Sequence, residues 1–199
     1  MLAGAPAFSG TLTSPPVAAV SVTAPDAGVD WSGAYIGGVY ATASGDNAYN
    51  YFDGPVAFYA IEGNAFGGFA GYRHDIGAFV LGGEATYLFA NDLHEIDQIP
   101  EYSYNSLLDL KATVGYDLGR ALLYVEGGYS VASFYTEAAD KNTMNDWLFG
   151  AGVDYKLGER YFIGAEYIYR DLRNTEFWDV NDGLSGQISA LQVRAGMSF

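Results

Sequence analysis

Leu122-Leu123-Tyr124-Val125-Glu126-Gly127-Gly128-Tyr129 puts Glu126 on one parity of the chain and Leu123, Val125, Gly127 and Tyr129 on the other. Successive side chains of a strand point to opposite faces, so the segment has one face suited to an apolar surrounding and one that carries a carboxylate. Working outward, the same split sets Leu81, Ala85, Tyr87 and Phe89 against Glu84, and Leu108, Leu110, Ala112, Val114 and Tyr116 against Asp109 and Lys111. It sets Tyr161, Ile163, Ala165, Tyr167 and Tyr169 against Glu166, and Leu191, Val193, Ala195, Met197 and Phe199 against Arg194. The stretch that begins at Trp31 has no charge to mark its parity.

Eight such stretches are predicted, at about residues 31–42, 65–74, 78–90, 106–117, 121–134, 146–156, 160–172 and 186–199. Each is near the length with which a tilted strand crosses a membrane. Their connections alternate. His74-Asp75-Ile76-Gly77, Asp117-Leu118-Gly119-Arg120 and Lys156-Leu157-Gly158-Glu159 are short, each with a Gly for the positive φ of a tight turn. Residues 43–64, 91–105, 135–145 and 173–185 are longer and rich in Asp, Asn and Glu. Short turns on the periplasmic side and long loops outside are the pattern of an all-β, eight-stranded antiparallel up-and-down transmembrane barrel. Outward aromatics are expected in two girdles, Tyr72, Tyr116, Tyr155, Tyr161 and Phe199 near the short turns and Phe66, Phe89, Trp147 and Tyr167 or Tyr169 near the long loops.

Composition agrees. Half of the 199 residues are apolar, 16% are aromatic, and there are 26 glycines and 17 tyrosines but no cysteine. That excludes a disulfide scaffold and a thiolate metal site. With 9 Lys and Arg in total and a net charge of −15, nucleic acid is not an expected partner. No apolar run is long enough to span a bilayer as a helix, so a membrane role must come through strands. Residues 1–29 form a leader: up to Pro25 they hold no charged side chain, Pro6, Pro15, Pro16 and Pro25 break any periodicity, and Ala5-Pro6-Ala7 has the small-x-small form of a signal-peptidase site. They are expected to be a signal-peptide remnant and a Pro-rich flexible segment ahead of a barrel over residues 30–199.

Asp30-Trp31-Ser32-Gly33-Ala34-Tyr35-Ile36-Gly37-Gly38, the Gly71-Tyr72 and Gly115-Tyr116 pairs ahead of short turns, and the ending Val193-Arg194-Ala195-Gly196-Met197-Ser198-Phe199 resemble the small outer-membrane β-barrel proteins of the OmpA-like and opacity-like porin family. The resemblance runs over residues 30–199. It implies a Gram-negative outer-membrane address, a structural or pore-like role and no catalytic residues. It also makes the last strand, with Val193, Ala195, Met197 and the terminal Phe199, similar to the signal read by the outer-membrane insertion machinery. The implied partners are that machinery, outer-membrane lipid and lipopolysaccharide.

Arg73, Glu84, Asp109, Lys111, Glu126, Glu166 and Arg194 share the parity that faces away from lipid. A Lys or Arg facing lipid at the midplane costs about 2–4 kcal/mol, so they are expected to share the lumen, with Glu84, Lys111, Glu126, Glu166 and Arg194 at similar depth. An eight-stranded lumen is about wide enough for side chains to fill, which favours a salt-bridged plug in an envelope-stabilising barrel. The alternative is a narrow conduit; acids outnumber bases, so it would prefer cations. An enzyme acting on lipids would need a nucleophile with a base near the outer rim. His94, with Ser103 or Ser106, is the one combination on that side, and no spacing enforces it. Asp92, Glu95, Asp97 and Glu101, and Asp171, Glu176, Asp179 and Asp182, match no defined calcium loop, so no metal and no cofactor is expected. Phe177 and Trp178 beside the second group are a candidate adhesive contact.

Overall fold

The computed structural model describes residues 29–49, 55–96, 103–136, 139–174 and 184–199. Period-two alternation produces strands throughout: β1 (Gly33–Tyr49), β2 (Ala57–Asp75), β3 (Phe79–Glu95), β4 (Ser103–Asp117), β5 (Ala121–Thr136), β6 (Ala139–Lys156), β7 (Tyr161–Asn174) and β8 (Leu184–Ser198). Each pairs antiparallel with its neighbours in sequence, and β1 pairs with β8 to close the barrel. Among the described residues closure leaves no edge strand, so the wall presents no open row of backbone donors and acceptors to lipid.

Four of the eight strands, β1, β2, β3 and β6, run well past their predicted ends on the side of the long connections. Residues 43–49 and 57–64 continue the β1–β2 ladder, and 139–145 continue β6. These stretches were expected to be loops because they are polar, but here it is the alternation of polarity that matters. Ser44, Asp46, Glu62, Asp92 and His94 point outward, while Ile61, Leu93, Tyr104, Phe134, Met144 and Leu184 are buried inside. Beyond the upper aromatic girdle the polarity of the barrel is thus reversed.

At the other edge, Ile76 donates to the Phe79 carbonyl and Leu118 to the Ala121 carbonyl, each at 2.9 Å, closing two-residue turns. Gly77 (φ +100°) and Gly119 (φ +83°) hold the first central position, where a II′ turn places Gly. The third turn departs from the expectation. Leu157 reaches one residue further, to Tyr161, and Gly158 is not among the glycines with positive φ, because the longer turn does not need one.

Both girdles are present. Tyr72, Tyr116, Tyr155, Tyr161 and Phe199, and Phe66, Phe89, Trp147 and Tyr167, are all exposed on the outer wall, and Tyr169 is half-buried there. Between them Leu81, Leu110, Val114, Leu123, Val125, Ile163, Leu191 and Val193 form an apolar band. On β1 the odd residues Tyr35, Val39, Ala41 and Ala43 face inward and Ile36 and Tyr40 outward. That parity was illegible because both faces are apolar.

Trp31 does not begin the first strand, as its place in the sequence suggested. The chain bends at Gly33, whose φ of +124° an L side chain rarely adopts, and a Cβ there would lie 2.4 Å from the Phe199 carbonyl oxygen. The bend carries Trp31 beneath the lumen, where it is buried against Val80, Leu122 and Tyr124.

Candidate functional site: the charged lumen

All eight strands bring one polar side chain to a common region inside the barrel: Tyr35, Arg73, Glu84, Lys111, Glu126, Asp154, Glu166 and Arg194, in strand order. Lys111 is the hub. Its ammonium lies 2.8 Å from Glu84, 2.9 Å from Glu166 and 3.3 Å from Glu126. Arg194 closes the ring from the far side of the seam, 2.7 Å from Glu166 and in direct contact with Glu84. Two phenols complete the carboxylate shells, Tyr35 donating to Glu84 at 2.9 Å and Tyr124 to Glu166 at 2.8 Å, and Thr86 adds a third donor to Glu84. The Arg194 guanidinium stacks 3.9 Å from the centre of the Phe69 ring.

A second pair lies nearer the short turns. Arg73 of β2 reaches straight across to Asp154 of β6, 2.5 Å away, with its guanidinium 4.5 Å from the centre of the Tyr35 ring. A third lies toward the long connections, where Arg170 forms a two-pronged pair with Asp109 at 2.5 and 3.1 Å, and Ser130 donates to the same carboxylate at 2.6 Å. These charges are essentially fully buried, so each pair works in a low-dielectric setting. Taking one member away would leave its partner uncompensated.

Around and above the Asp109–Arg170 pair the lumen becomes apolar. Leu88, Leu107, Ala132, Leu148, Ile168 and Ile188 are buried there, followed by a smaller polar group in which Asn47 and Tyr49 donate to Glu95 at 2.5 and 2.6 Å. Burial pushes the Glu95 carboxyl above the usual carboxylate range, although both donors act to lower it.

The seven charges singled out in the sequence all face the lumen, and the five expected at one depth are in mutual contact; Arg73 and Asp109 belong to the pairs below and above them. Sequence reasoning missed Asp154 and Arg170, although the parity rule already marked both: Asp154 alternates with Val153 and Tyr155, and Arg170 lies four residues after Glu166. The polar uncharged members Tyr35, Tyr124, Ser130 and Asn47 carried no comparable mark. In the last strand Val193, Ala195 and Phe199 face outward and Met197 is half-buried.

The outer rim differs from its expected form. His94 lies on β3 with its Nδ1 3.0 Å from the Asp92 carbonyl; Ser103 is its register partner on β4, while Ser106 sits opposite Phe89. Asp92 faces outward and Glu95 inward, so they do not form one cluster. Among the described residues no group of His, Asp and Glu is arranged to hold a metal ion. Asp97, Glu101, Glu176, Phe177, Trp178, Asp179 and Asp182 lie outside the described residues.

A closed barrel with an apolar, aromatic-girdled outer wall and a lumen of paired charges defines an integral outer-membrane β-barrel protein. The chain belongs to the outer membrane protein beta-barrel domain family, whose model matches residues 12–199. Its location is the bacterial outer membrane. It is similar to the 31 kDa outer-membrane immunogenic proteins of Brucella melitensis and Brucella suis, at 27% identity over 103 residues, or 45% of this chain and 43% of each relative. The chain thus matches under half the length of these curated relatives. Among solved structures, Neisserial surface protein A has a TM-score of 0.50 at 17% identity, covering 84% of this chain and 99% of that one. Ail, the attachment invasion locus protein of Yersinia pestis, has a TM-score of 0.46 at 14% identity, with the same coverage.

Proposed function

We propose that the protein is a structural, envelope-stabilising element of the outer membrane whose lumen is plugged. The observation that supports this reading is the succession of buried side chains along the lumen. Trp31 lies at the short-turn end, the charge ring and its flanking pairs occupy the middle, and buried Leu, Ile and Ala side chains cross the lumen above. Hydrophobic constrictions exclude ions even where water can fit. On this reading the protein has no catalytic role, and His94 is a rim residue bonded to its own strand. Its partners are outer-membrane lipid and lipopolysaccharide around the wall, and the outer-membrane insertion machinery, which would meet the outward Val193, Ala195 and Phe199 of the last strand, with Met197 between them. The OmpA-like or opacity-like kinship suggested by the sequence is consistent with such a role.

The second reading, a narrow cation-preferring conduit, draws on the surplus of acids in the lumen: Glu84, Glu95, Asp109, Glu126, Asp154 and Glu166 against Arg73, Lys111, Arg170 and Arg194. Recording from protein refolded into a planar bilayer separates the two. A plugged barrel inserts and stays silent; discrete cation-selective steps would replace the structural reading with the conducting one.

A further inference from the structure

Residues 29–32 stand before β1 and outside its ladder, and they cross the mouth of the barrel at the short-turn end. Four hydrogen bonds hold them there, one of them from the Trp31 N–H to Asp75 Oδ2 at 3.5 Å. The Trp31 indole donates to the Gly119 carbonyl in the β4–β5 turn at 3.0 Å. Lys156, at the end of β6, donates through its ammonium to the Asp30 carbonyl. Asp75, at the end of β2, donates its backbone N–H to Ser32 Oγ at 3.0 Å. Trp31 is 3% exposed and has two cations close to its ring, Arg73 at 5.6 Å and Lys156 at 4.9 Å from its centre. It is the lowest layer of the lumen, directly beneath the Arg73–Asp154 pair.

The strap differs in kind from the wall it closes. Neighbouring strands share unbroken ladders, and opening one exposes a row of backbone groups. The strap is held by isolated hydrogen bonds and one buried ring, and it turns on Gly33, whose positive φ supplies a hinge. It can therefore leave without unpairing any strand.

We propose that residues 29–32 are a detachable stopper: with Trp31 seated they seal the lumen from the periplasm, and when they lift, the Arg73–Asp154 end opens to periplasmic water and small cations. The apolar layer beyond Asp109–Arg170 stays shut throughout. The lumen thereby becomes a blind vestibule, open on one side and never a through-channel. This inference rests on the plugged reading above, and it assigns the two seals to different parts of the chain.

The absence of cysteine makes a direct test available, because a single introduced thiol is the only one. Thr113→Cys places it inside the barrel on β4, two residues nearer the short turns than Lys111, at a site 7% exposed. Protein refolded into phosphatidylcholine vesicles is treated with a small cationic methanethiosulfonate, and the rate of modification is followed by mass. Trp31→Ala is expected to raise that rate about tenfold or more, since reactivity tracks the population of the locally open state. Ser32→Ala loses the bond from the Asp75 N–H, keeps the longer bond from the Trp31 N–H to Asp75 Oδ2, and leaves every core side chain in place. It should raise the rate about two- to threefold by the same dependence, and it serves as the test if Trp31→Ala does not fold. A thiol at Leu107→Cys, in the apolar layer, should stay unreactive in all backgrounds. Equal rates at Thr113→Cys with and without the strap mutations, fast or slow, would overturn the stopper, as would reaction at Leu107→Cys on strap release. Planar-bilayer conductance with Trp31 in place would instead overturn the plugged reading; a silent barrel with unchanged labelling sinks the stopper alone.

Discussion

Below the Phe66, Phe89 and Trp147 girdle the wall is apolar outside and the interior is charged. Above it the same strands carry Ser44, Asp46, Glu62 and Asp92 outside and Ile61, Leu93, Phe134 and Met144 inside. No break in the ladder marks the change beyond small register shifts, as between Glu62 and Phe66 or Phe89 and Leu93. One backbone architecture thus serves two solvents, and the parity of polar residues records which solvent surrounds each level. The lower half obeys the rule for barrels in lipid, and the upper half the rule for barrels in water.

The sharpest way to break this comparison is to remove the hub of the lower half. Lys111→Met leaves three carboxylates facing one another with Arg194 alone to balance Glu84 and Glu166, and should cost about 3–5 kcal/mol, the usual penalty for stranding a buried charge. Urea unfolding in lipid vesicles, read by tryptophan fluorescence, measures it. A loss below about 1 kcal/mol would mean that the ring is hydrated and contributes no more than a surface pair. The outer wall supplies the next test. Val125→Lys places a charge on the lipid face midway between the girdles and should cost about 2–4 kcal/mol, whereas Ser44→Lys, outward on β1 beside Glu62, should stay within about 0.5 kcal/mol. Equal losses at the two positions would erase the distinction between the halves.

The smallest effect concerns Glu95, a buried carboxyl in the upper half. Its folded-state titration is pushed up by burial, so folding disfavours the carboxylate. The penalty is absent at low pH, where Glu95 is protonated in both states, and grows as pH rises from the unfolded value through the folded one. Glu95→Gln keeps an oxygen to accept from Asn47 and Tyr49 and should raise the urea midpoint slightly at pH 7. Its advantage over the wild type should shrink as pH falls through the carboxylate range. An advantage that grows on acidification would show that the carboxylate is favoured in the folded protein.

Where charge marked parity, the chain could be read directly. Glu84, Lys111, Glu126, Glu166 and Arg194 each identified the inner face of a strand, and their shared depth followed from turn spacing. Where no charge marked it, as on β1, the face was illegible, because Tyr35 and Ile36 are equally apolar and only the closed barrel separates them. The extended upper strands were hidden for a related reason. Ser, Asp and Asn are typical of turns, and only the inward Ile61, Leu93 and Met144 show that these stretches alternate. Trp31 reads as strand in the sequence because it opens an alternating run; the bend at Gly33 depends on the approach of Phe199, a contact between the two ends of the barrel that no local pattern reveals.

The ring has a temporal side as well. Arg194 belongs to the last strand and is, beside Lys111, the second base that joins Glu84 on β3 to Glu166 on β7. A barrel that assembles in chain order carries a larger surplus of negative charge on its inner wall until β8 arrives. Arg194 then reduces that surplus as β8 zips onto β1. Closure of the seam is therefore the step that relieves the electrostatic strain, and a chain truncated before Arg194 should stall as an open, acid-lined sheet.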